Sequence, residues 1–280
     1  MKHPRKLKIL TSHFKGGHKM IIETVIVKKD DAAREAYNLL HKVPQTFMEF
    51  IKALEKDKLI YIAGGAITSV FTKQKIRDYD LYFNNMDTYN KIFDYLKSKG
   101  AKNIFSTNNA ETLKWEGVKW QLIKCANGTI NEIFNSFDFS ICMGAYDLKN
   151  DCFIIHKNFM AHNAQRRLVF HEGTKYPICS LIRTRKYMFR GYFLTGIEYI
   201  KMALCINKIR IETWADLKFH LQGIDTLFLE PLTTALEKEG DTIYDYDKFL
   251  VLMDEVLNKY FGDIYKKDSE MEEEDSPEEA

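Results

Sequence analysis

The stretch "LIYIAGGAITSVFTKQKIRDYDLYF", Leu59–Phe83, decides the fold. Its opening residues are apolar and rich in isoleucine and tyrosine, which predicts a strand over 59–63. Gly64 and Gly65 follow and leave the backbone bare, just where a short helix over 66–72 begins with N–H groups suited to phosphate. A second apolar run, 79–83, reads as another strand and brings two aspartates with it. Residues two apart in a strand share a face, so Asp78 and Asp80 stand about 6.6 Å apart along the chain, at ~3.3 Å per residue. Tyr79 then points the other way, into packing. Two such carboxylates repel each other unless a cation neutralises them, and a hard Mg²⁺ ion, which takes few carboxylates together with phosphate oxygens, suits the pair. Ser69 and Lys73 are candidates to assist Gly64 and Gly65 in binding phosphate, and Lys75 and Arg77 add charge ahead of the aspartates.

Outward from this stretch the chain reads as α+β. Residues 20–28 predict a strand, and the segment after it turns to helical spacing with a break at Pro44. Beyond 83 come a helix over 88–99 ending at Gly100, then strands near 103–106, 111–115 and 118–125, with a turn at Glu116-Gly117. One or two further strands fall in 137–156, and 158–222 shows helical periodicity without strand character. A last helical stretch covers about 245–260. The expected organisation is a lead-in over 1–48, a head with a mixed sheet over 49–157, a helical domain over 158–265 and a disordered acidic tail over 266–280.

"GGAITSVFTKQKIRDYDLYF" resembles the glycine-pair and DxD signature of the polymerase β-like nucleotidyltransferase superfamily. "FDFSICMGAYDLKNDCFIIH", 137–156, is similar to the block that follows the catalytic strands in bacterial-type tRNA nucleotidyltransferases and poly(A) polymerases, and "LIRTRKYMFRGYFL", 181–194, is similar to their arginine-rich neck helix. The resemblance implies a nucleotidyltransferase head followed by a helical neck. It also implies transfer of NMP from an NTP to an acceptor hydroxyl with release of pyrophosphate. Asp78 and Asp80 would hold two Mg²⁺ ions, Asp138 would help hold the nucleotide, and Arg183, Arg185 and Lys186 would contact the triphosphate. Arg166, Arg167 and Arg190 are the candidates for RNA contacts. The sequence departs from the pattern at Phe137, where the block has Arg, and at Gln121, where the superfamily's third carboxylate would fall. Cys179 and Ser180 stand where the nucleotide-selecting neck motif begins, which leaves ordered addition of C, C and A without support.

Composition bounds the partner without naming it. The formal net charge is +2, but the eight acidic residues of 268–280, with no basic residue among them, leave the rest of the chain at +10. A basic body attracts nucleotide phosphates or nucleic acid, and taken with the resemblance it implies an RNA 3′ end, tRNA included, as the acceptor. A protein hydroxyl, as for a toxin-like modifying enzyme, is the alternative, and a head that binds nucleotide or RNA without turnover is a third reading carried by Gln121 and Phe137. Five cysteines without a CxxC pair argue against a disulfide framework and fit a cytoplasmic protein. No apolar run approaches the ~18 residues of a membrane span, so no membrane partner is expected.

Overall fold

A computed structural model of the chain describes residues 22–221, 226–240 and 242–255. It divides into two compact units, Met1–Gln165 and Arg166–Ala280.

In the first unit β1 (Thr24–Lys28) leads through a 3₁₀ turn to α1 (Ala33–Leu40), and α2 (Gln45–Ala53) restarts after Pro44, whose carbonyl accepts the Phe47 N–H. Then come β2 (Ile60–Ala63), α3 (Gly65–Thr72), β3 (Tyr79–Phe83) and α4 (Met86–Ser98). Asn85 caps α4, its side-chain oxygen accepting the Thr88 N–H at 2.8 Å. Next are β4 (Lys102–Ser106), β5 (Ala110–Trp115), β6 (Val118–Asn127) and α5 (Ile130–Phe134), the last with a capping box between Thr129 and Glu132. The unit ends in β7 (Gly144–Asp147), β8 (Cys152–His156) and α6 (Phe159–Ala164). The β5–β6 turn is tight because Glu116 and Gly117 both take positive φ, 51° and 74°, the twist that a two-residue hairpin needs.

These strands form one mixed sheet in the order β1-β8-β7-β2-β3-β6-β5-β4, antiparallel throughout except for the parallel pair β3·β6. Alternation sorts its side chains into two layers. On one face Ile62, Tyr79, Leu81, Trp120 and Leu122 pack with Leu39, Phe47, Val70 and Ile92 from α1 to α4. On the other, Tyr61, Ala63 and Ala145 pack with Ile133, Phe134, Phe137 and Met143. The second layer is narrower, so it leaves part of its face open.

The expected elements of the head form, with edges moved by at most two residues, and the sheet is larger than the stretch 49–157 alone supplies. Thr24–Lys28 pairs with Cys152–His156 at the sheet edge, so the predicted lead-in contributes a strand and two helices to this unit. The unit also runs past 157 through α6, because His162 Nδ1 bonds Ser140 Oγ at 2.7 Å and Asn163 Nδ2 donates to the Ile141 carbonyl.

The second unit is mostly helical: α7 (Pro177–Phe189), α8 (Gly196–Ile206), α9 (Trp214–Leu221) and α10 (Thr226–Glu239), with residues 246–255 helical as well. Its core gathers Cys179, Trp214, Leu217, Leu221, Leu232 and Leu236. The expectation of no strand character after 158 needs correction: β9 (Arg167–Leu168) and β10 (Phe193–Leu194) pair in parallel. Two residues each are too few to show a period in sequence. Among the described residues no helix is long and apolar enough to cross a membrane. The acidic tail and the end of the last predicted helix lie outside the described residues.

Candidate functional site

The open part of the sheet face is built around the end of β2. Ala63 pairs with Asp80, and Asp80 pairs on its other side with Gln121 of β6. At Gly64 the chain leaves the sheet with φ 76° and ψ −129°, a conformation open to glycine, and its N–H donates to the Gly144 carbonyl at 3.0 Å. Its own carbonyl accepts the Ile67 and Thr68 N–H groups, which starts α3. Thr68 Oγ1 donates to the Ile141 carbonyl at 2.8 Å, fastening the helix start to the 137–143 loop.

Asp80 sits directly against this turn. A methyl group placed on Gly64 would stand 3.7 Å from Asp80 Oδ2 and 4.0 Å from Phe137. Asp78 precedes β3 and reaches the same face, with Lys119 Nζ 3.9 Å from its Oδ2. Lys119 and Gln121 alternate with buried Trp120, which pairs with Tyr79, so the strip Asp78, Asp80, Lys119 and Gln121 shares one side of two parallel strands. Tyr79 is buried on the opposite face, donates its hydroxyl to the Leu39 carbonyl at 2.8 Å, and has its pKa pushed up to about 12 by burial. Phe137, where the resemblance expects Arg, packs against Tyr82 and Phe134 at ring separations of 5.5 and 5.6 Å and forms an apolar wall beside Gly64. Asp138 next to it is buried.

The structure thus brings Gly64, Gly65, Asp78 and Asp80 together. Gly65 is exposed at the first turn of α3, and Ser69 lies further along that helix, half-buried, its carbonyl accepting the Lys73 N–H at the C-cap. Lys73 turns elsewhere: it caps α3 in the left-handed conformation, φ 60°, and lines a cleft on the α1 side whose wall includes Tyr79, the residue facing away from Asp80. Arg166, Arg167, Arg183, Arg185, Lys186 and Arg190 belong to the second unit. There Arg166 lies over the Tyr192 ring at 5.1 Å, Arg167 is in β9, and Arg185 lies over Phe189 at 5.5 Å on the exposed side of α7. Arg183, Lys186 and Arg190, spaced three and four residues apart, form a half-buried stripe along α7 and its C-cap. Lys119 was missed by sequence reasoning; its signal was present, two residues before Gln121 in the same strand, but required the β3·β6 register.

The donor set fits one hard cation better than a closed metal cage. Two carboxylates and the Gln121 amide oxygen leave coordination positions for water and phosphate, and among the described residues no group of three or more His, Cys, Asp or Glu side chains gathers around a point. Lys119 already offsets part of the charge on Asp78.

Solved structures of similar fold exist. The complex of a CCA-adding enzyme with CTP superposes with a TM-score of 0.50 at 14% identity, over 82% of this chain and 58% of that one. The fold is that of a nucleotidyltransferase. Thermotoga maritima CCA-adding enzyme complexed with tRNA gives a TM-score of 0.49 at 13% identity, over 73% of this chain and 54% of that one. In sequence, residues 36–166 match the family described as Gabija anti-defense 2 family protein. Gabija anti-defense 2 of Bacillus phage SPbetaL7 is 33% identical over 235 residues, covering 77% of this chain. The chain spans 56% of the length of that relative.

Proposed function

We propose that the chain is a metal-dependent nucleotidyltransferase that moves NMP from an NTP to an acceptor hydroxyl, and that it serves to counter Gabija defence. The observation that carries the chemistry is the Asp78 and Asp80 pair held on one sheet face against the Gly64-Gly65 turn. Asp78 and Asp80, with Gln121 beside them, would hold Mg²⁺; bound there, the ion supplies Lewis-acid stabilisation of triphosphate charge and lowers the pKa of an attacking hydroxyl. The exposed backbone at Gly65, at the start of α3, would receive phosphate oxygens. Asp138, Arg183, Arg185 and Lys186 are assigned to the nucleotide on the superfamily resemblance, and Arg166, Arg167 and Arg190 to an RNA acceptor.

The basic body supports an RNA 3′ end as acceptor. Similarity to a protein named for opposing Gabija defence favours a second reading, in which the hydroxyl belongs to a protein of the defended cell. One experiment separates them: each α-³²P-labelled NTP is incubated with the protein, Mg²⁺, small RNA and extract of Gabija-bearing cells, beside the Asp78→Asn/Asp80→Asn variant. Label on RNA that disappears in the variant supports terminal addition, and label on a protein band supports modification. Absence of label in both refutes transfer and leaves a nucleotide-binding head. Phage plating on Gabija-bearing cells that express either form tests the biological role; equal protection by the variant would detach that role from the carboxylates.

A further inference from the structure

On the helix-covered side of the first unit, behind β3, lies an open cleft of about 480 Å³ that the chemistry above does not use. Its rim carries Arg34 and Lys42 from α1 and the turn after it, Lys73 at the C-cap of α3, and Lys75 from the loop leading to β3. Two stretches of chain, 34–42 and 73–75, therefore deliver cations to one concavity, and the first also brings His41. Arg34 pairs with Glu35 at 2.7 Å, and that carboxyl is held below its ordinary value by the Arg34 bond, with a smaller contribution from Lys73. Lys42, Lys73 and Lys75 make no ion pair among the described residues, and no carboxylate lines the cleft. The floor is apolar, from Val70, Ile76 and Tyr79, with the Asn38 and Gln74 amides at its edge.

Like charges gathered around a concavity repel one another, and a bound anion relieves that repulsion. The volume lies within the ~300–1,000 Å³ of small-ligand sites, and the mixture of cationic rim, apolar floor and two amides suits a phosphorylated molecule of nucleotide size better than an extended polymer track. We propose that this cleft is a second phosphate-binding site, taking a free nucleoside polyphosphate or an inorganic polyphosphate independently of Asp78 and Asp80. The two sites stand back to back on β3, where Tyr79 lines the cleft and Asp80 faces the other way.

The test is calorimetric titration of the full chain with ATP, with inorganic tripolyphosphate and with adenosine, in EDTA and in the Asp78→Asn/Asp80→Asn background, so that neither the metal nor the carboxylates contribute. Expected is one-to-one binding of tripolyphosphate and no binding of adenosine, with affinity falling tenfold or more in Lys42→Ala/Lys75→Ala but holding in Lys102→Ala, an exposed lysine on β4. ATP binding more tightly than tripolyphosphate would assign the floor to the base; equal affinity would assign the site to phosphate alone. Absence of binding by both anions, or affinity unchanged in Lys42→Ala/Lys75→Ala, overturns the proposal. Capture of short single-stranded RNA through Lys42 and Lys75 without binding of ATP or tripolyphosphate also overturns it, in favour of a polymer surface. Because metal and carboxylates are removed, failure here leaves the transfer reaction untouched, and failure of transfer leaves this site untouched.

Discussion

Gly64 and Gly65 look alike in sequence but answer to different physics, and substituting each by alanine measures the difference. Gly64 holds φ 76° and ψ −129°, a region essentially closed to residues with a Cβ. Forcing alanine there costs about 1–3 kcal/mol in backbone strain. The new methyl adds no clash, since its nearest neighbours are Asp80 Oδ2 at 3.7 Å and Phe137 at 4.0 Å, both ordinary contact distances. Gly65 is helical, and a methyl there meets nothing within 4 Å, so alanine is neutral or stabilises by up to about 1 kcal/mol. The two variants therefore differ by about 1–4 kcal/mol, which for a unit of this size separates their melting temperatures by about 2–16 °C. Thermal unfolding followed by far-UV circular dichroism reads this directly, with Gly64→Ala melting lower. Equal melting temperatures would refute the strained turn as the reason for the first glycine, and with it the account of how Asp80 is set against the helix start.

Lys119→Ala removes a cation 3.9 Å from Asp78, so Mn²⁺ affinity should rise by about 1.5–5-fold, the scale of a half-exposed ion pair; unchanged or weaker binding in a Mn²⁺ titration would contradict a shared site. Glu111 is pushed up by burial but more strongly down by bonds from Lys124, Ser106 and Asn103, and its net value lies below the ordinary 4.5. A lowered folded-state pKa gives stability that is fully present above 4.5 and lost as pH falls through the folded value, so the urea-unfolding gap between wild type and Glu111→Gln should be full at neutral pH and shrink in acid. The Cys152 thiol is pushed up to about 11 by burial and by Asp147 and Asp151, against a smaller opposing effect of Lys52. At pH 8 only about 0.1% is thiolate, so iodoacetamide should label exposed Cys125 well before Cys152 in a mass-spectrometric time course.

What was legible in the sequence was local. The strand, glycine pair, short helix and second strand of 59–83 could be read because each signal lies within a few residues of its consequence, and the period of two put Asp78 and Asp80 opposite Tyr79. What depended on pairing across the chain was not legible. The resemblance put Gln121 at the third-carboxylate position, but that Lys119 meets Asp78 follows from the parallel β3·β6 register, whose two strands a helix and two further strands separate in sequence. Lys73 shows the opposite limit. Its nearness to the aspartates along the chain suggested a phosphate role beside them, but its left-handed turn at the end of α3 directs it to the α1 side.

The alternation along β3 explains why this sheet can carry charge without losing stability. Tyr79, Leu81 and Phe83 hold the strand to a wide apolar layer and Tyr82 packs on the other face, so Asp80 is released from packing duty. Asp80 uses that freedom at the point where β2 ends and only Gly64, with no side chain, stands beside it. A larger residue at 64 or a third carboxylate at 121 would each alter the balance in a definite direction. The first would strain the turn that sets Asp80 against the helix start, and the second would add a negative charge beside Asp80 that Lys119, already spent on Asp78, does not offset. With Gln121 in place the strip carries two negative charges and one positive, a net −1 that a single divalent ion converts to +1. That residual charge is of the sign that attracts a triphosphate, so glutamine at 121 is consistent with nucleotide binding through one tightly held ion, while a second ion would depend on the triphosphate for most of its ligands.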